Sequence, residues 1–336
     1  MSHENEVSMR DITNPHRPVK IVVAVLTYRR PEGISKLLDV LTRQHQNPAR
    51  PYALTVLVVD NDAAGSGWNT IEPFITNGTY VSDETGGRPR LKYCVEKQQG
   101  IPFARNRALD EAPDGTDLFC FLDDDEWPVD HWLDAMLSVR EATSADCVYG
   151  PVEPVYPDHA ADYFIRAGVF ERKRRQDREQ INYAASNNVM FDYPLFIRLG
   201  LRFEERMRYT GGTDFVFFNQ AVRKGVRIFW ADAALVYDIV PASRMNWKWV
   251  LQRQYRLGNT FAVAERLYGN RKSAAFRFAY GAARVGLGAT MLPALAVSPR
   301  LGMRALTHLL RGAGTVSGLL GHAYEEYRPD AKGTVK

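Results

Sequence analysis

Residues 118–126 read Leu-Phe-Cys-Phe-Leu-Asp-Asp-Asp-Glu, an apolar run that passes directly into four carboxylates. Like charges this close repel, and each costs free energy to desolvate. A fold accepts such a block most readily where a cation sits among the acids. Hard oxygen ligands of this kind suit Mg²⁺ or Mn²⁺, usually shared with phosphate oxygens. A solvated acidic turn after a strand is the simpler alternative, so the meaning of the block depends on what surrounds it.

Two more apolar, β-branched runs lie upstream, at residues 19–26 and 54–59, and read as strands buried on both faces. The first ends in Thr27-Tyr28-Arg29-Arg30-Pro31 and the second in Asp60-Asn61-Asp62. Pro31 suits the first turn of a helix, and Ile34, Leu37, Leu38 and Leu41 follow at helical spacing. A short strand at 91–95, a helix at 101–109 and a strand at 117–122 complete the alternation expected of a parallel α/β sheet. The second half is less regular. Strands are expected at 148–155 (interrupted by prolines), 189–191, 226–230 and 234–237, with a helix over 214–222. Residues 77–90 read as loop. Residues 171–180 are so highly charged that they read as a mobile surface loop, or as a lid that orders on substrate. From residue 246 the pattern is helical to about residue 327, broken near Gly269 and Pro293.

The chain has 336 residues, 45% of them hydrophobic, which provides for a large core plus an appendage and argues against global disorder. Cys94, Cys120 and Cys147 are odd in number, match no zinc spacing and sit near apolar runs; reduced thiols in a cytosolic protein are expected. Residues 1–18, polar with Pro15 and Pro18, read as a flexible arm with no visible signal peptide. The net charge of +4 hides an asymmetry: residues 1–243 carry 28 Lys/Arg against 35 Asp/Glu, whereas residues 244–312 carry 12 Lys/Arg and only one acid, Glu265. An acidic body thus bears a basic segment that an anionic surface would attract. The acidic body would repel nucleic acid, which is not expected as a partner.

In open α/β sheets, ligands bind beyond the carboxyl ends of the strands. Three such ends carry polar groups here: Thr27-Tyr28-Arg29, Asp60-Asn61-Asp62 and Asp123-Asp124-Asp125. The helix that opens Gly100-Ile101-Pro102-Phe103-Ala104-Arg105-Asn106 adds free N–H groups and a guanidinium that suit an anion. Together they offer what a nucleoside diphosphate needs: acceptors for base and ribose, and a cation for the diphosphate. No Gly-x-Gly-x-x-Gly follows the first strand and no Gly-Lys-Ser/Thr P-loop occurs, so phosphate is expected to be held through metal rather than a glycine cradle. Any strand-terminal aspartate is also a candidate helix cap.

Thr27-Tyr28-Arg29-Arg30-Pro31, Val58-Val59-Asp60-Asn61, Gly100 with Ala104-Arg105-Asn106, Phe121-Leu122-Asp123-Asp124-Asp125, Pro128 with Trp132-Leu133, and Gly211-Gly212-Thr213-Asp214 resemble, in order and spacing, the motifs of family 2 glycosyltransferases. The layout, with its basic helical C-terminus, is similar to the succinoglycan-biosynthesis branch. The resemblance implies a GT-A fold, a Rossmann-like and mostly parallel sheet flanked by helices, over residues 19–243, with a C-terminal helical extension over 244–336. It implies inverting, divalent-metal-dependent transfer of a sugar from a nucleoside-diphosphate sugar, with UDP the expected nucleotide, to a saccharide or lipid-linked oligosaccharide in envelope or exopolysaccharide synthesis. Thr27, Tyr28, Arg29, Asp60, Arg105, Asp123 and Asp124 would then face the nucleotide. Asp125 and Asp123 would hold Mg²⁺ or Mn²⁺, and Asp214 would be the general base, with Glu204 and Glu205 its nearest competitors. The family usually has Glu-Asp where this chain has Thr213-Asp214. The Gln-x-x-Arg-Trp of processive members is absent, so a single transfer is implied. A catalytically inactive nucleotide-sugar-binding scaffold and a nucleotidyltransferase are the alternatives.

Fifteen uncharged residues separate Arg284 from Arg300, fewer than the ~20 that a spanning helix requires. Aromatic residues from Trp247 to Phe278 interleave with arginines. This pattern predicts helices lying in a membrane interface, on the cytoplasmic face of the inner membrane, with a helical cap on the sheet as the plainer reading.

Overall fold

The computed structural model describes residues 17–81, 88–158 and 162–326. Most of the arm expected over residues 1–18 therefore lies outside the described residues. At its end, Arg17 donates two hydrogen bonds to the Asp117 carboxylate, 2.5 and 2.7 Å.

The first half alternates as the apolar runs dictate. β1 (Val19–Thr27), α1 (Pro31–Thr42), β2 (Tyr52–Asp60), α2 (Trp68–Thr76), β3 (Arg90–Val95), α3 (Ile101–Asp110) and β4 (Leu118–Asp123) follow one another. β1, β2 and β4 are continuous apolar runs because helices or loops cover both of their faces, and their central residues are fully buried. α1 buries Ile34, Leu37, Leu38 and Leu41 on one stripe, and Pro31 opens it as expected.

The second half adds β5 (Glu126–Pro128), α4 (Trp132–Thr143), β6 (Cys147–Tyr149), β7 (Val152–Val155), α5 (Asp162–Arg166), β8 (Gln180–Ile181), β9 (Asn188–Asp192), α6 (Tyr193–Arg198), α7 (Thr213–Arg223), β10 (Ile228–Trp230) and β11 (Val236–Ile239). The single strand expected at 148–155 is two, because the chain turns at Gly150-Pro151 and its halves join different sheets. Eight strands form the main sheet in the order β3-β2-β1-β4-β9-β6-β10-β8. β3, β2, β1 and β4 are parallel; β9 runs antiparallel between β4 and β6. A second sheet of three strands, β5-β11-β7, sits beside the end of β4. The mainly parallel sheet flanked by helices is the architecture expected.

The helical run beyond residue 246 breaks where Gly269 and Pro293 predict. α8 (Trp247–Tyr268) is capped by Asn246, α9 (Arg271–Thr290) opens with an Asn270/Ser273 capping box, a short 3₁₀ turn spans Leu292–Ala296, and α10 (Pro299–Leu319) follows. α10 packs against both α8 and α9. Helix ends at Leu319 rather than near residue 327, and residues 327–336 lie outside the described residues. Among the described residues no helix is long and apolar enough to cross a membrane.

Candidate active site

The register of the parallel strands gathers the reactive residues. Thr27 at the end of β1 lies opposite Asp60 at the end of β2, and Leu26 lies opposite Asp123 at the end of β4. Segments about thirty and a hundred residues apart in sequence thereby share one rim.

The acidic block is tied down on both sides. Thr27 Oγ1 donates to Asp124 Oδ2 at 2.9 Å, and one Arg30 nitrogen donates to Asp124 Oδ1 at 3.0 Å and to Asp125 Oδ2 at 2.8 Å. Gly33 lets α1 approach the block closely: a Cβ there would stand 2.3 Å from the Asp124 carbonyl oxygen. Burial pushes the Asp123 carboxyl up to about 7, against the pull of the Arg105 guanidinium and with help from Asp125 and Asp124. Burial likewise raises Asp124 to about 6, opposed by Arg30. Glu126 is 2% exposed and is raised well above the usual range by burial and by Asp123. Its Oε1 accepts from Asn187 at 2.8 Å, while its Oε2 has no hydrogen-bond partner.

These shifts set a pH dependence. A carboxyl whose folded value lies above its unfolded one destabilises the fold once the unfolded chain can ionise and the folded chain cannot. For Asp123 and Asp124 this begins near 3.8 and is complete above about 7. Asp62 and Glu204, both lowered to about 2, act in the opposite sense and only in more acid solution. Without divalent cations, the thermal midpoint is therefore expected to fall by a few degrees between about pH 5 and about pH 8, and Asp123→Asn is expected to flatten that slope. Differential scanning fluorimetry across this range in chelator tests it.

Asp60, fully buried, holds the β2–α2 turn: Oδ1 accepts from the Asp62 amide at 2.9 Å, and Oδ2 accepts from the Gly67 amide at 2.7 Å and the Tyr93 hydroxyl at 2.8 Å. These bonds hold the turn and do not cap α2, whose N-cap is Gly67 with no side-chain cap bond. Arg29, in the left-handed region at φ 55, donates from Nε to Asp62 at 2.9 Å, which pulls the Asp62 carboxyl down to about 2. Tyr28 lies beside it, with the Arg29 guanidinium carbon 5.1 Å from the ring centre. Asn61 binds the loop ahead of α3 through Glu96 O, Gln98 O and the Gly100 amide.

Arg105 joins the two halves of the site. It is 9% exposed and donates to Thr213 Oγ1 at 3.1 Å while its charge bears on Asp123. Asn106 clasps the same region, donating to Phe203 O and Glu205 and accepting from the Phe203 amide. Asp214 is the second residue of α7, partly exposed; its Oδ1 accepts from the adjacent Phe215 amide at 2.9 Å. The helix N-cap is Gly212, and Asp214 meets one free N–H of the first turn through the Phe215 bond. The competitors are engaged elsewhere. Glu204 is held by the Arg206 guanidinium at 2.7 and 2.8 Å and is lowered to about 2, and Glu205 supports Asn106.

Residues 171–180 are irregular, as expected, but not loose. Arg172 pairs with Asp238 at 3.1 Å and stands 4.0 Å from Glu126, and Arg174 bridges Asp232 and Glu153. Arg172 belongs to a cluster of guanidiniums that sequence reasoning missed. Arg244 lies 4.0 Å from Asp125, and Arg253 stacks over Trp249 at 5.0 Å. Burial and then repulsion from Arg172, Arg256 and Arg244 lower Arg253 to about 10. Their signal was diluted, because the charged loop and the first turns of α8 each looked like ordinary solvated sequence.

Among the described residues, no group of three or more His, Cys, Asp or Glu side chains is arranged to hold a metal ion unaided. Mg²⁺ is commonly held by one or two carboxylates together with substrate phosphates; here Asp125 Oδ2 accepts from Arg30 at 2.8 Å. Burial raises the Asp123 and Glu126 carboxyls, and one Glu126 oxygen has no hydrogen-bond partner.

The mainly parallel sheet flanked by helices is that of a GT-A-type glycosyltransferase, and the chain belongs to Glycosyl transferase family 2, whose sequence pattern matches residues 22–200. It is similar to the succinoglycan biosynthesis protein ExoM of Rhizobium meliloti (strain 1021), 30% identical over 91% of this chain and 95% of that protein. Its fold is similar to that of S. aureus TarS, solved as residues 1–349 with UDP-GlcNAc: TM-score 0.50, 16% identity, 93% of this chain and 94% of that one. It also matches GalNAc-T7, solved with UDP, GalNAc and Mn²⁺, with TM-score 0.56 and 10% identity over 80% of this chain and 51% of that one.

Proposed function

We propose that this glycosyltransferase transfers a sugar, with inversion, from a nucleoside-diphosphate sugar, UDP being the expected carrier, to an acceptor hydroxyl. The observation that supports the reading is Arg105, which bonds Thr213 at the start of α7 and whose charge bears on Asp123 at the end of β4. Asp214 takes the proton from the acceptor hydroxyl as its oxygen attacks the anomeric carbon. The bond from that carbon to the diphosphate breaks, and the nucleoside diphosphate leaves on the side of the acidic block. Asp123 and Asp125 would hold Mg²⁺ or Mn²⁺, which offsets charge on the departing diphosphate. Thr27, Tyr28, Arg29, Asp60 and Asp124 border the nucleotide through the turns they hold. Arg105 and the Arg172–Arg244–Arg253 cluster supply further positive charge for the diphosphate.

The relationship to a succinoglycan biosynthesis protein supports a role in exopolysaccharide synthesis, and the acceptor in this reading is a lipid-linked oligosaccharide. Residues 19–243 then carry the transfer chemistry. Residues 244–336, basic overall, attach the protein peripherally to the cytoplasmic face of the inner membrane.

A panel of UDP-, GDP- and dTDP-sugars tests this reading. One donor is expected to be hydrolysed slowly in a divalent-dependent manner, releasing free nucleoside diphosphate. Release of pyrophosphate would mark a nucleotidyltransferase instead, and binding without turnover would mark a scaffold. Asp125→Asn is expected to abolish the divalent-dependent part of nucleotide binding, read by calorimetry with and without chelator. Full divalent-dependent binding by this variant would remove Asp125 from the cation site.

A further inference from the structure

α9 is held along one side only. Its buried residues are Gly281 and Gly288, and both meet α10: a Cβ on Gly288 would stand 2.4 Å from the Leu309 amide nitrogen, and one on Gly281 would stand 3.2 Å from Thr315. The opposite side faces solvent, and from residue 275 to 290 every exposed residue on it is uncharged. Phe276 is 75% exposed, Tyr280 54% and Leu287 47%. With Ala283 they fall on one helix stripe that runs for roughly 16 Å. The two arginines within this stretch turn away from it: Arg277 pairs with Glu265 at 3.0 Å, and Arg284 donates to His308 and to the Thr307 carbonyl. Past the helix end Leu295 and Val297 are also exposed, Val297 79%.

A helix on the surface of a globular protein ordinarily turns charge toward water. Here the charge stands at the edges instead. Arg271 and Lys272 are exposed at the start of α9 and Arg304 on α10, and no Asp or Glu occurs between residues 266 and 324. Apolar surface with a basic border and no acid is complementary to anionic headgroups over acyl chains. A second copy of the same face would set one basic border against another. Nucleic acid would favour arginines on the face itself over phenylalanine.

We propose that the outer face of α9 is the surface that lies in the headgroup layer of an anionic bilayer, with the helix axis in the membrane plane. This names the contact surface for the peripheral attachment proposed above and rests on that attachment.

Flotation of the full chain with phosphatidylglycerol–phosphatidylcholine vesicles at low salt tests both. The unaltered protein is expected to float with these vesicles and much less with phosphatidylcholine alone. Phe276→Ser/Tyr280→Ser/Leu287→Ser, and separately Ala283→Asp, are expected to cut flotation by about tenfold, while Ile197→Ser, an exposed apolar residue elsewhere (42%), leaves it unchanged. Thermal midpoints report whether each variant folds. An unaltered protein that stays at the bottom ends both the attachment and this face. Flotation by the unaltered protein that the α9 variants match keeps the attachment and overturns the face. A lipid-free dimer that the α9 variants convert to monomer makes the face a self-association surface and also overturns the proposal.

Discussion

Asp214→Asn is expected to lower turnover by about 10²–10⁴-fold, the range that a positioned general base supplies, while leaving donor binding intact. The substitution preserves volume, and the Asn oxygen can still accept the 2.9 Å bond from the Phe215 amide, so the start of α7 is retained. What is lost is the ability to take a proton from the acceptor hydroxyl. In the proposed reading binding rests on other groups: the acids of β4, the turn held by Asp60, and the arginine cluster. Calorimetry with the donor and a transfer assay on the same preparation separate the two effects. Near-normal turnover would remove Asp214 from the base role. Glu204 would not inherit it, because the Arg206 guanidinium holds that carboxylate at about 2, which makes it a weak proton acceptor.

Gly212→Ala is expected to cost both stability and activity. Gly212 sits at φ +75, where a side chain costs about 1–2 kcal/mol. An added Cβ would also stand 2.1 Å from Thr260 Cγ2 on α8. The catalytic loop can escape that clash only by moving, and a shift of about 1 Å near reacting atoms costs about 10²-fold. Thr260→Ser removes the offending methyl and keeps the hydroxyl that bonds the Thr210 carbonyl. The double variant Gly212→Ala/Thr260→Ser is thus expected to recover most of the lost turnover but not the backbone penalty. A double-mutant cycle on kcat and on thermal midpoint reads the two contributions separately. No recovery would show that backbone conformation, rather than contact with α8, sets the loop.

This contact also shows how the C-terminal helices bear on the chemistry. α8 supports the loop before Asp214, α10 packs on α8, and α9 packs on α10.

Local sequence was sufficient for the elements whose signal is local. The β-branched runs, the helix start at Pro31 and the breaks at Gly269 and Pro293 appear in the structure within a few residues. Burial on both faces demands continuous apolar residues, and proline and glycine terminate helices wherever they fall. The same reasoning placed carboxylates at the ends of β2 and β4, because a buried run can carry charge only where it emerges. The strand expected at 148–155 was misread because it divides at Gly150-Pro151 between two sheets, and sheet membership is a pairing across distance.

Residues 118–126 by themselves determined that an uncompensated acidic block would close a buried strand, since that follows from hydropathy and charge along nine positions. Which groups answer that block was decided only by the tertiary structure. Arg30 spans Asp124 and Asp125 from across β1, Arg105 carries Thr213 to the end of β4, and Arg172, Arg244 and Arg253 come from a loop and from the start of the C-terminal helices. The physical reason is range. Periodicity reports contacts within a few residues, whereas charges interact through space, and about a hundred residues of intervening chain leave no trace of which guanidinium the fold will bring to which carboxylate.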